Sequence, residues 1–394
     1  MLHSYRFKNF QSFREQVDVS LLLNDKASPR GWETTAKSGQ RLSTALGVLG
    51  ANGAGKTALL KPLDFVAWFM RASFALPPDR LIPLVPHFSA QQEQTEIEVE
   101  AEDGEGVLWR YVLHLTRERV LHEALYRKKE RFAYVFLRDW DDSKKAYAIK
   151  QQGFGLAPAE ARKVRPNASL ISTAVQYGVE TAQHVTNFRL ISNLTPMGRQ
   201  NFDYSQITLA ANTFAADEGL RSQMATLLSR WDLGLSDVQL RELEIPSASG
   251  ALTKRMVTLG VHQTNDGKRV ELLMEEESSG TQSAYVLLSR LLVVLAQGGI
   301  ALIDEIENDL HPHMVEHVLA LFDNPSTNPH HAQLLFTCHS PEVLDLLQKA
   351  QVMFVEKQDC NSVAYRGDEI RGLRSDDNLR AKYLAGALGA VPQI

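Results

Sequence analysis

Residues 45–57 read "ALGVLGANGAGKT", and the fold follows from how this run divides. The first six residues are apolar or glycine, the form of a strand buried on both faces. The eight residues from Gly50 to Thr57 match G-x-x-x-x-G-K-[ST] without a mismatch, and a helical pattern begins at once after them. Strand, glycine loop and helix in that order make a phosphate-binding loop. Gly50, Gly53 and Gly55 permit the tight turn, and Asn52, Gly53, Ala54, Gly55, Lys56, Thr57 and Ala58 are the expected nucleotide contacts. Lys56 is placed to reach the outer phosphates, and the Thr57 hydroxyl to hold Mg²⁺. The competing reading, a glycine-rich turn with a chance lysine, requires spacing and context to coincide by accident.

Two further strands end in chemistry. "GGIALIDEIEN" at 298–308 runs through four apolar residues into acids, as a buried strand does when it delivers carboxylates to a metal. Asp304 is the expected Mg²⁺ ligand, and Glu305 is placed to orient or deprotonate an attacking water. "FTCHSPEVL" at 336–344 puts His339 beyond another apolar strand, where a ring nitrogen could meet a terminal phosphate. Upstream, "EEESSGTQSAYVLLSRLL" at 275–292 opens a helix with Ser278, Ser279 and Gly280, small residues that leave N–H groups bare to an anion. The alternative for that tip is a plain serine cap on a core helix.

The chain has 394 residues, 44% of them hydrophobic, which supports a large core. A formal charge of -5 argues against whole-molecule attraction to nucleic acid or anionic membrane. Two cysteines and the start "MLHSYRFKNF" suggest neither a disulfide framework nor export, so a cytoplasmic location is expected. The most apolar window, 284–295, is short and contains Arg290, so no membrane span is expected. Two strands are expected between Tyr5 and Leu23, antiparallel strands over 95–150, helices over about 157–240, and a hairpin turning at Asn265-Asp266-Gly267. The reading is an α/β fold, with strands on either side of a helical middle.

The phosphate loop, "SSGTQ" at 278–282, "ALIDE" at 301–305, "NDLHP" at 308–312 and "CHS" at 338–340 follow the order of an ABC-type ATPase head, and the chain resembles that family. It is closer to the SMC, RecF and OLD-like branch than to transporters, since "YRFKNFQSF" opens the chain and "ESSGTQ" replaces the transporter signature. It also resembles the AAA-domain proteins of bacterial phage-defence clusters. The resemblance implies a P-loop NTPase with a mixed central sheet, an antiparallel β-subdomain and an inserted helical lobe. The implied divisions are 1–155, 156–245 and 246–394. It implies ATP and Mg²⁺ as cofactors and two heads packed head to tail. Ser278, Ser279 and Gly280 would then contact the nucleotide of the other copy, with Asn308 and Asp309 crossing the interface. Gln91, Gln92 and Gln94 all fit the glutamine that senses Mg²⁺, and Gln92 is nominated. Lys56, Glu305 and His339 are the implied catalytic set, and Thr57 with Asp304 the metal ligands.

The function implied is an ATP-hydrolysing, dimerising switch that acts on a co-encoded effector in anti-phage defence, with a RecF-like DNA-binding repair ATPase as the alternative. Two basic clusters, "YRKKERF" at 126–132 and "EARKVRP" at 160–166, leave nucleic acid open as a partner. His311, His313 and His317 lack companions at zinc spacing and are read as structural. The segment 157–245 has no long heptads, so no SMC-type arm is expected.

Overall fold

The computed structural model describes residues 1–24, 31–196, 198–231, 233–246, 252–308 and 310–391. Every residue of strand β5 (Ala45–Gly50) is buried, because parallel neighbours on both sides leave it no edge and no wet face. The central sheet runs in the order β11 (Leu190–Ser192), β17 (Ile300–Ile303), β18 (Gln333–Thr337), β5, β19 (Val352–Gln358), β20 (Asn361–Arg366). The first five are parallel and β20 closes the sheet antiparallel. Side chains of β5 alternate between two cores, Leu46 and Val48 entering one and Ala45 and Leu49 the other.

The first core lies under a seven-stranded antiparallel sheet, ordered β10 (Ala146–Gln151), β9 (Phe132–Asp141), β8 (Val120–Lys128), β7 (Leu108–Leu115), β6 (Thr95–Glu102), β1 (Leu2–Lys8), β2 (Val17–Ser20). Helix α1 (Lys56–Ala72) fills it with Leu59, Leu63 and Phe69 against Tyr5, Phe7 and Phe13. The Tyr5 hydroxyl donates to the Leu59 carbonyl at 2.8 Å, so the buried phenol is satisfied. Short helices α2 (Pro158–Ala161), α3 (Leu170–Gln176) and α4 (Glu180–Thr186) add to this core. Glu123 and Arg138 pair there at 3.1 Å with side chains fully buried. Glu123 also accepts from Ser169 Oγ at 2.6 Å and from the Leu170 N–H at 2.9 Å, which fixes the start of α3. A small ribbon, β3 (Glu33–Thr35) with β4 (Arg41–Ser43), precedes β5.

The second core lies on the other side of the central sheet, under α5 (Tyr204–Ala216), α6 (Glu218–Arg230), α7 (Ser279–Gln297) and α8 (Pro312–Asp323). Helix α7 buries Ala284, Tyr285, Leu288, Leu291, Leu292 and Leu295, an i, i+3, i+4 stripe. Full burial of one such leucine contributes about 1.5–3 kcal/mol, and Leu288→Ala would cost about 2–5 kcal/mol including the cavity left behind. By length and composition this helix could cross a membrane, yet most of it is buried inside the protein. It stops at Gly298 and Gly299, both at positive φ.

A three-stranded antiparallel sheet, β14 (Asp237–Pro246), β15 (Leu252–Gln263) and β16 (Arg269–Leu273), stands beside α6. Its second turn falls where Asn265-Asp266-Gly267 placed it, with Gly267 at φ +81° and its N–H bonded to the Thr264 carbonyl. The stretch expected to be helical over 157–240 also supplies β11, the ribbon β12 (Leu194–Thr195) with β13 (Gly198–Arg199), and the start of β14. Helix α9 (Leu379–Leu384) packs against the turn at Pro341–Asp345.

Candidate nucleotide site

Four neighbouring parallel strands, β11, β17, β18 and β5, end at one edge of the central sheet, and the residues that follow each of them meet there. Carboxyl ends of parallel strands are where α/β sheets place ligands. After β5 the loop needs its glycines. A Cβ on Gly50 would lie 2.1 Å from the Val355 carbonyl oxygen of β19. Gly55 sits at φ +114° and directly precedes α1, where a Cβ would meet Ser362 Oγ at 2.4 Å. Ser362, held by Ser12 at 2.8 Å, also donates to the Ala54 carbonyl and props the loop from below. Helix α1 starts without a side-chain cap, so the N–H groups of its first turn remain open to an anion.

Lys56 is buried, its amine donating to the carbonyls of Gly50 at 2.9 Å and Ala51 at 3.1 Å and lying 3.3 Å from His339 Nδ1. Burial holds its pKa below the usual lysine value, and nearby Glu307, Asp304 and Glu305 oppose that shift. Thr57 Oγ1 donates to both oxygens of Asp304, at 3.0 and 2.9 Å. Asp304, only 2% exposed, also accepts from Thr337 Oγ1 at 2.7 Å. The hydroxyl and carboxylate that a Mg²⁺ ion would take as hard oxygen ligands are thus already in contact. One carboxylate with a hydroxyl fits a magnesium site completed by phosphate and water, and the described residues contain no cluster of three or more His, Cys, Asp or Glu for any other metal.

Glu305 takes φ +51°, uncommon for a side chain this size. Its N–H bonds Thr337 Oγ1 at 2.7 Å. Its carboxylate lies between Arg199 Nε, 3.0 Å from Oε2, and His339 Nε2, 3.7 Å from Oε1. The His339 N–H is held by Glu307 Oε1. Lys56, Thr57, Asp304, Glu305 and His339, far apart in the chain, therefore form one cluster. Asn52 and Gly53 lie exposed on the loop above it, Ala54 is buried beneath, and Ala58 is buried in the first turn of α1.

Three residues of the cluster were not anticipated. Asn193, just beyond β11, donates to the Asp304 carbonyl at 2.9 Å and accepts from the Asp304 N–H at 2.8 Å. Arg199 and Glu307 are the others. Position beside β17 was the only signal for Asn193, and that follows from strand order rather than spacing.

Gln92 is not brought to the cluster. It lies exposed in the turn before β6, in the antiparallel sheet, and no hydrogen bond or ion pair joins it to the site. Asn193 is the side chain that lies next to the Asp304 strand. Lys8 ends β1 in the antiparallel sheet, and Arg14, in the loop after it, donates to Ser89 Oγ at 2.8 Å. Ser278 caps α7 by accepting from the Thr281 N–H at 3.2 Å, with Ser279 exposed beside it. No hydrogen bond or ion pair links Ser278, Ser279 or Gly280 to the phosphate loop of the same chain. The Asn308 N–H bonds the Glu305 carbonyl at 2.9 Å, while Asp309 lies outside the described residues. His311 caps α8 by accepting from the His313 N–H at 3.3 Å, a structural role.

Phosphate loop, carboxylate-bearing strand and histidine-bearing strand stand together on a sheet with the fold of a P-loop AAA domain. Residues 46–345 match the family described as "AAA domain, putative AbiEii toxin, Type IV TA system", and the chain belongs to that family. Among solved structures it is similar to an SMC head bound to the C-winged helix domain of ScpA, at 13% identity over 93% of this chain and 98% of that one, with a TM-score of 0.51. It is also similar to an SMC head domain from Thermotoga maritima, at 13% identity over 93% and 98% of the two chains, TM-score 0.43. A third is the SMC head with an extended coiled coil, bound to the C-terminal domain of ScpA, from Pyrococcus furiosus, at 10% identity over 93% and 97%, TM-score 0.47. At such identities the likeness concerns the fold. A comparison with curated proteins returned no match.

Proposed function

We propose that the chain binds and hydrolyses ATP with Mg²⁺ and that two copies close head to tail around the nucleotide. The carrying observation is the cluster itself; no hydrogen bond or ion pair ties the tip of α7 to it. Lys56 would leave the Gly50 and Ala51 carbonyls for the outer phosphates. Thr57 and Asp304 would hold the metal, whose charge offsets that developing on the transferred phosphoryl group. Glu305 would orient the attacking water and His339 meet the terminal phosphate. Phosphoryl transfer asks for positioning and charge rather than covalent chemistry, which suits this set.

Ser278, Ser279 and Gly280 would approach the nucleotide of the other copy, with Asn308 and Asp309 near the seam. ATP would then bind the closed pair far better than the open chain, which is what a ligand-driven switch requires. An effector partner in anti-phage defence is the output we favour, in keeping with a family description that names a toxin–antitoxin system. The divisions at 155 and 245 remain part of this proposal, with α5 and α6, seated on α7, as the surface that relays closure.

The nucleic-acid alternative draws less support. Val120, at the start of β8, bonds the Pro166 carbonyl, so the 160–166 cluster lies at that end. The 126–132 cluster lies at the other end of β8, about 25 Å away at the strand rise per residue. The two clusters thus lie apart rather than meeting in one patch.

The test is light scattering of Glu305→Gln with Mg-ATP. A dimer is expected, and Lys56→Ala should stay monomeric. A monomeric Glu305→Gln chain at saturating ATP would refute the proposal.

A further inference from the structure

The Glu305 carboxylate does not rest free. Arg199 Nε takes Oε2 at 3.0 Å, and that leaves Oε1 as the oxygen turned toward His339. The 3.7 Å between Oε1 and His339 Nε2 is too long for a direct hydrogen bond. It is, however, the base of a triangle whose apex a single oxygen atom could occupy at about 2.8 Å from both.

What sets Arg199 in place is equally specific. The residue ends ribbon β13, and its neighbour Gln200 bonds the Asn193 carbonyl through its N–H at 2.7 Å. The Gln200 side chain accepts from Arg290 Nη2 at 3.0 Å, and the same nitrogen donates to Gln206 Oε1 at 3.0 Å. Arg290 belongs to α7, the helix whose tip carries Ser278, Ser279 and Gly280. Burial, and after it the like charge of Arg199, work against the charged form of Arg290.

We propose that Arg199 is a positioning residue that holds the Glu305 carboxylate oriented with one oxygen toward His339 and takes its own position from helix α7 through Gln200 and Arg290. This rests on the hydrolytic reading given above. The directional guanidinium fork suits the task, whereas a lysine supplies the charge without the geometry. Arg199 and Glu305 are both partly exposed, so the coupling is modest, about five-fold in rate at most.

The experiment is single-turnover Mg-ATP hydrolysis by the full chain, with ATP affinity measured in parallel using a non-hydrolysable analogue. Arg199→Ala should lower the rate about three- to five-fold without changing analogue affinity. Arg199→Lys should recover part of the loss, and Gln200→Ala, which leaves both charges intact, should show a smaller fall of the same kind. In a Glu305→Gln background, Arg199→Ala should cause no further fall. An unchanged rate in Arg199→Ala, an equal fall in the Glu305→Gln background, or a loss confined to analogue affinity would each overturn the inference while leaving ATP hydrolysis standing. If the wild type fails to hydrolyse ATP at all, the hydrolytic reading falls first and this inference with it.

Discussion

Replacing Asn193 by alanine tests how the metal carboxylate is held. The side chain, 7% exposed, makes two hydrogen bonds to the backbone of Asp304, itself 2% exposed. Each bond contributes about 0.5–1.5 kcal/mol net, but the larger effect is the pair of buried Asp304 groups left without partners, about 1–3 kcal/mol each. If a water refills one of the two places, the loss should be about 2–4 kcal/mol. Urea unfolding without nucleotide, followed through the transition of the ATPase core, should show a lower midpoint at unchanged slope. Asn193→Asp separates the bonds: it retains the acceptor for the Asp304 N–H, loses the donor to the carbonyl, and adds a second carboxylate beside Asp304. It should be no more stable than the alanine variant. A loss under about 0.5 kcal/mol for Asn193→Ala would show that the clamp does not matter.

Other outcomes follow from the same geometry. Gly50→Ala pushes a methyl to within 2.1 Å of the Val355 carbonyl, and should cost about 3 kcal/mol or more by forcing β5 from β19, read by thermal unfolding. Glu123→Gln leaves the Arg138 guanidinium buried without its counter-ion. That should cost about 3–5 kcal/mol, and the double variant with Arg138→Met should recover much of it. Phosphate binding favours charged Lys56, whose pKa in the free chain lies below 10.5. Binding therefore draws a proton onto the amine as pH rises, and ATP affinity should fall on the alkaline side before pH 10.5. Lys56→Arg, which keeps its charge, should lack that fall in a calorimetric titration.

Motifs with a fixed spacing were legible in the sequence, because the loop at 50–57 and the acids after 303 carry their chemistry locally. So were the wholly buried strands β5, β17 and β18, where parallel neighbours impose an unbroken apolar run. The turn at Asn265-Asp266-Gly267 was legible for the same local reason. Strand β11 was not, since three residues at a sheet edge leave no period inside a stretch of helical spacing. Missing β11 also hid Asn193, which has no motif and matters only through its place beside β17. The choice among Gln91, Gln92 and Gln94 was not legible for the matching reason: sequence order offers several glutamines between the two motifs but does not say which strand lies next to Asp304. Arg199 is a single charge at the end of a two-residue strand, and nothing local distinguishes it from a solvated arginine.

The central claim is that each complete site draws residues from two copies, and mixing two crippled chains measures this directly. Lys56→Ala disables the phosphate loop, and Ser279→Arg blocks the helix tip; each alone should be inactive. In a mixed pair, one site inherits both defects and the other inherits neither, so an equal mixture should recover about a quarter of wild-type ATPase activity if subunits exchange at random. A mixture no more active than its separate components, under conditions where exchange of labelled subunits is observed, would contradict the account.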